Sequence, residues 1–290
     1  MISDITLGQF FPGNSPIHKL DPRTKLILSV LFIVAVFLAA TPIAFLLITV
    51  AVIVLIATSG ISFKVILKGV KPIIYVLIFT SLINIFFTKA DSAPIVDFWV
   101  IEIYKEGIIR AVFISLRVLL LIMGTSVLLT YTTSPISLTD GIESLFSPLK
   151  KLHIPVHTFA MMMTIALRFI PTLIEETEKI MNAQKSRGAD FTSGSLIKRA
   201  KALIPLLVPL FVSSFKRADE LATAMECRCY RGDKNRTKLA KLQYKIVDAL
   251  WFILGFLFLG IIIALMIVHP YVRELFNFMP ILYEIVFYKI

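Results

Sequence analysis

Five apolar runs constrain this chain more than any other feature: Leu26–Ala40, Ile43–Ala57, Ile73–Phe87, Ile108–Thr130 and Ile246–Val268. A helix crosses the ~30 Å hydrocarbon core of a bilayer with roughly 20 apolar residues. The last two runs reach that length alone, and the first three reach it with flanking residues and tilt. Inside lipid each backbone N–H and C=O must find its partner within the protein, which leaves helices as the natural solution for separate apolar runs. The expected fold is therefore all-α, a polytopic helical membrane protein with about five transmembrane helices and a cytoplasmic domain of long amphipathic helices. The chain is 57% hydrophobic, above the about 45–50% of soluble domains.

Charge sets the expected orientation. Residues 1–23 read as a cytoplasmic N-terminal arm with no cleavable leader, closed by His18-Lys19-Leu20-Asp21-Pro22-Arg23-Thr24-Lys25. Asp21 is a candidate N-cap, and Pro22 suits the first helical position. Residues 24–131 read as transmembrane helices 1–4, the third starting at Pro72. The connection carrying Lys64, Lys68 and Lys71 has no acidic residue, whereas Lys89–Gly107 holds Asp91, Asp97, Glu102 and Glu106 against Lys89 and Lys105. Basic loops stay inside, so the N-terminus is expected in the cytoplasm. Residues 132–245 then fall inside, with eighteen Lys or Arg against ten Asp or Glu. This segment has two short apolar stretches, Phe159–Pro171 and Leu203–Phe215, the second interrupted by Pro205 and Pro209. Runs of this length suit interfacial or buried helices, and a transmembrane hairpin is the competing reading. Residues 246–268 form transmembrane helix 5, and the tail 269–290 is expected in the outer interface.

The net charge of +11 follows from basic cytoplasmic loops that meet anionic headgroups, so nucleic acid is not an expected partner. The sequence has no phosphate-cradling Gly-x-x-x-x-Gly-Lys-Ser/Thr loop, no His-Glu-x-x-His and no Gly-x-Ser-x-Gly elbow. His153 and His157 are four apart, but Pro155 between them breaks the helix that a metal pair needs. Cys227-x-Cys229 lacks the His or acidic companions of a metal site. No catalytic residue, metal or bound cofactor is expected on this chain.

Two basic signatures remain, Gln184-Lys185-Ser186-Arg187-Gly188-Ala189-Asp190 and Met225-Glu226-Cys227-Arg228-Cys229-Tyr230-Arg231-Gly232. Each follows a charged helical stretch, with Gly188 and Gly232 as candidate C-terminal caps. An Arg there complements the helix dipole, which accounts for one copy. Two copies point to two similar partners, because a guanidinium fork suits bidentate pairing at interfaces. Within span 4, Arg117 costs at least about 2.5–3.5 kcal/mol if it faces lipid. It is expected to face the bundle interior near Asn84 or Ser115, held by an ion pair or a carbonyl, with a transport pathway as the competing reading. Met161, Met162, Met163, Met181 and Met225 read singly as ordinary core filler, with an adaptable partner surface as the competing reading.

The order of Ser15-Pro16-Ile17-His18-Lys19-Leu20-Asp21-Pro22-Arg23-Thr24-Lys25, Thr132-Thr133-Ser134-Pro135, Arg168-Phe169-Ile170-Pro171, Ala183–Gly188 and Ala224–Tyr230 resembles the transmembrane T component of energy-coupling factor transporters. The resemblance spans nearly the whole chain. It implies a non-catalytic subunit that joins two ABC-type ATPases, which bind ATP and Mg, to a substrate-binding membrane S component for vitamin or metal-ion uptake. It also implies that Ser186-Arg187-Gly188 and Cys227-Arg228-Cys229 dock on the ATPases, although both depart from the family's Ala-Arg-Gly at their flanks. An ordinary ABC importer permease and a stand-alone secondary carrier are the alternatives.

Overall fold

In a computed structural model the described residues are 10–88, 96–98, 101–189, 191, 195–232 and 242–275. Eight α-helices hold most of them: α1 Pro22–Leu38, α2 Pro42–Ser59, α3 Phe63–Phe87, α4 Lys105–Thr125, α5 Pro135–Leu145, α6 Val156–Ser186, α7 Leu196–Cys227 and α8 Ile246–Leu275. The fold is all-α apart from a small antiparallel ribbon, β1 Val96–Phe98 with β2 Ile101–Ile103, in the acidic connection before α4. Lys89 and Asp91 lie outside the described residues.

The chain divides into two compact units, one built on Gly8–Ser134 and Leu242–Ile290 and the other on Pro135–Lys241. In the first, helix starts are written locally. Asp21 caps α1 by accepting from the Arg23 amide at 2.9 Å, with Pro22 next. Thr41 caps α2 by accepting from the Ala44 amide at 3.2 Å, with Pro42 next. Gly60, at φ +70°, ends α2 in the left-handed region that favours glycine. The core is a helix–helix seam: Leu28, Phe32, Ala35 and Val36 share one face of α1, and Phe45, Ile48 and Val52 share one face of α2. Leu120, Met123, Val127 and Ile262 complete it. At Gly124 a β-carbon would lie 2.3 Å from Phe32 Cε1, so glycine permits the close approach of α4 to α1.

The third helix begins earlier than the sequence indicates, at Phe63 rather than Pro72. Its first turns are amphipathic: Ile66 and Val70 are buried while Lys64, Lys68 and Lys71 stay exposed. Pro72 sits inside the helix on an exposed position instead of starting it. Helix α4 runs on through a π-helical turn, Ser126–Tyr131. In the second unit the two short apolar stretches belong to continuous helices of 31 and 32 residues that take Pro171, Pro205 and Pro209 in their interiors. α5 packs on α6, and α6 packs on α7.

Among the described residues five helices are long and apolar enough to cross a membrane: α2, α3, Lys105–Tyr131, α6 and the Ile246–Val268 part of α8. The set differs from the five apolar runs. Helix α6 joins it because its apolar start continues without a break, and α1, at 17 residues, is shorter than the other five.

Candidate functional site

The two Arg-bearing signatures end α6 and α7 in the same backbone motif. Helix α6 stops at Ser186 with Arg187 as its C-cap. Gly188 follows at φ +85°. The Gly188 amide donates to the Lys185 carbonyl at 2.9 Å, and the Ala189 amide donates to the Gln184 carbonyl at 3.0 Å. These two bonds define a Schellman cap, which satisfies carbonyls that the helix end would leave bare.

At the end of α7 the Cys229 amide donates to the Glu226 carbonyl at 2.8 Å, and the Tyr230 amide donates to the Met225 carbonyl at 3.0 Å. Cys229 holds the left-handed conformation, at φ +58°. The pattern superimposes residue for residue: Ser186 on Cys227, Arg187 on Arg228, Gly188 on Cys229. The expected cap at Gly232 is therefore corrected. Gly232 has positive φ, +76°, but lies three residues further on, and Cys229 makes the reversal. Registering the two copies on their arginines, rather than on their glycines, reveals this cap.

Both arginines are exposed, as are Ser186, Gly188, Cys227 and Cys229. Neither guanidinium has an ion-pair partner among the described residues. Behind the tips the helices change character along their length. The middle of α7 exposes Leu203, Ile204, Leu207, Val208, Phe211, Val212 and Phe215. The second half carries Lys216, Arg217, Asp219 and Glu220, and α6 likewise carries Glu175, Glu176, Glu178 and Lys179 beyond Pro171. Arg217 of α7 and Glu176 of α6 form an ion pair that ties the two charged halves together. Phe159, Met162 and Met163 are exposed on the first half of α6. Beyond its apolar stretch each helix thus continues as a charged shaft to an Arg-bearing end, and α7 also opens on the basic residues Lys198, Arg199 and Lys201.

The intramembrane polar residues do not meet as expected. Arg117 Nη2 donates to the Ala39 carbonyl at 2.7 Å, and its guanidinium lies 5.3 Å from the centre of the Phe45 ring. The carbonyl alternative therefore holds, with a partner at the C-cap of α1. Asn84 instead donates to the Thr80 carbonyl of its own helix at 2.8 Å, and Ser115 pairs with Ser81 at 2.7 Å. His153 and His157 are separated, His153 in a left-handed turn at φ +61° and His157 on α6. His157 Nδ1 pairs with Glu143 Oε1 of α5 at 2.7 Å, a link that nothing in the local sequence announces. Among the described residues no three His, Cys, Asp or Glu side chains cluster as metal ligands would.

The family described as CbiQ, cobalt transport protein, matches residues 13–239. An energy-coupling factor transporter transmembrane protein EcfT of Ruminiclostridium cellulolyticum is 53% identical over 250 residues, 86% of this chain and 92% of that protein. The Bacillus subtilis protein of the same name is 50% identical over 244 residues, 84% and 91% of the two chains. That of Thermosediminibacter oceani is 48% identical over 262 residues, 90% and 98%. With both signatures and most of the membrane helices inside the matched span, the chain belongs to the CbiQ/EcfT family of energy-coupling factor transporter transmembrane proteins.

Proposed function

We propose that this membrane transport subunit couples two ABC-type ATPases to a substrate-binding S component for uptake of a vitamin or metal ion, and that Arg187 and Arg228 are its two ATPase anchors. The observation that carries the reading is the matched pair of Schellman-capped helix ends, each presenting one exposed arginine at the C-cap position. A guanidinium at an interface offers a planar fork of donors to a carboxylate or to backbone carbonyls. Flanking residues 186, 188, 227 and 229 shape the contact around it. In this reading the tips and the N-terminus lie in the cytoplasm, as the basic loops require. The ATPases hold ATP and Mg and perform the hydrolysis. Closure of the ATPase pair moves the two tips relative to each other, and the arms pass the motion to the S component.

The test is co-expression of Arg187→Glu, Arg228→Glu and the double variant with the ATPases and the S component. Truncating one partner of a buried interfacial charge pair costs about 2–5 kcal/mol. Each single variant is therefore expected to lose most co-purifying ATPase, and the double variant all of it. Full ATPase attachment and full uptake in both single variants would refute the docking role. Native mass spectrometry of the wild-type complex separates this reading from an ordinary permease: one copy of this chain per ATPase pair supports it, and two copies oppose it.

A further inference from the structure

Two sequence motifs that docking does not use meet within the membrane unit, where Ser15–Lys25 reaches Thr132 of Thr132–Pro135. Helix α4 ends in a π-helical turn at Tyr131, and the last carbonyls of a helix find no partner within it. The N-terminal segment supplies them. The Phe11 amide donates to the Tyr131 carbonyl at 3.0 Å, with the two rings 5.9 Å apart. Lys25 Nζ donates to the Thr132 carbonyl at 2.7 Å and reaches the His18 carbonyl at 3.4 Å. His18 is fixed in turn by Ser15 at 2.6 Å and by the Phe11 carbonyl at 2.9 Å.

The same segment holds the start of α8. Asp248 Oδ1 accepts from the Asp21 amide and Oδ2 from the Lys245 amide, both at 2.8 Å, so one carboxylate joins the first turns of α1 and α8. The Arg23 guanidinium lies 5.1 Å from the centre of the Tyr244 ring. Lys25 is only 2% exposed and Asp248 1%. A buried ammonium in the first turn of a helix works against the helix dipole and against desolvation. Stability alone would not choose Lys at this place.

Tyr131 and Thr132 are the last turn of chain before Pro135 opens the second unit, and Tyr244–Asp248 are the first after the chain returns at Leu242. We infer that the Phe11–Lys25 strap is a coupling joint, with Lys25 and Asp248 as positioning residues that fix both chain crossings to the membrane helices. Motion generated at the arms then turns the membrane unit instead of bending the connections. The inference rests on the docking reading above.

The experiment uses the complete complex in liposomes with Lys25→Met, Asp248→Asn and the double variant. ATPase attachment, ATP hydrolysis and substrate uptake are read on the same preparation. The expected result is wild-type attachment and hydrolysis within twofold, with uptake per ATP hydrolysed falling at least tenfold. The double variant should fall no further than either single one, because residues acting as one unit are not additive. Uptake per ATP at the wild-type level in the assembled variants would overturn the inference. Should Lys25→Met not assemble, Phe11→Pro is read in the same way. It removes both the amide donor to Tyr131 and the Phe11 ring beside the Tyr131 ring, at a residue that is 43% exposed. Docking fails by retained attachment in the arginine variants, and the joint fails by an intact coupling ratio at full attachment, so the two outcomes are separable.

Discussion

The cap residues at 188 and 229 should respond to substitution with opposite signs. Gly188 sits at φ +85°, and a β-carbon added there would meet nothing within 4 Å. The folded-state cost of Gly188→Ala is therefore backbone strain alone, about 1–2 kcal/mol for an L-residue in the left-handed region. About 0.4–1 kcal/mol is returned, because alanine restricts the unfolded chain more than glycine does. The net destabilisation is about 1 kcal/mol, roughly a fivefold shift toward the frayed helix end. Cys229 already carries that strain at φ +58°, so Cys229→Gly should tighten its cap by a similar amount. Amide hydrogen exchange reads both effects directly. The Ala189 amide, bonded to the Gln184 carbonyl, should exchange about fivefold faster in Gly188→Ala. The Tyr230 amide, bonded to the Met225 carbonyl, should exchange about fivefold slower in Cys229→Gly. Gly260→Ala is the control: it is helical with open space around it, so alanine should stabilise it by up to about 1 kcal/mol. Changes of the same sign at 188 and 229, or no change at either, would refute the shared-cap argument.

Two further outcomes follow from the membrane unit. Arg117→Met removes the donor from the Ala39 carbonyl and should destabilise the fold by about 1.5–3 kcal/mol, read as a lower thermal midpoint in detergent; an unchanged midpoint would mean that water or lipid satisfies that carbonyl equally well. Gly124→Ala places a methyl against the Phe32 ring and should cost about 1–3 kcal/mol by overpacking, and Phe32→Leu in the same chain should recover part of that loss if the contact is the cause.

What the sequence disclosed and what it concealed divide along a physical line. Features set by neighbours in the chain were legible: the Asp21-Pro22 helix start and the long apolar runs of α4 and α8. Prolines misled. Pro72, Pro205 and Pro209 look like breaks, because proline removes a donor and clashes with the preceding turn. Each lies on an exposed position of its helix, where packing on the other face carries the helix through. The partners of Arg117 and Lys25 were hidden for another reason. Both are backbone carbonyls, Ala39 and Thr132, and a carbonyl leaves no mark in the residue that carries it. Asp248 meets the Asp21 amide across 227 residues, which no local pattern encodes. In the candidate site the two arginines were visible, but the true register of the second cap was masked by a cysteine where glycine is usual.

The reach of the arms supports a role for the tips in water. From Phe215, the last large exposed apolar residue of α7, to Arg228 is thirteen residues, or about 20 Å of helix at 1.5 Å per residue. From Pro171 to Arg187 is sixteen residues, about 24 Å. The headgroup layer on each side of the hydrocarbon is only about 5–8 Å deep. A shaft anchored by its apolar base therefore lifts its tip clear of the headgroups once it rises about 20° from the membrane plane, given that length and that depth. The charges along both shafts suit water and headgroups and oppose deeper burial. The Glu176–Arg217 pair joins the shafts partway along, and from it about eleven residues of helix, or roughly 16 Å, run on to each arginine.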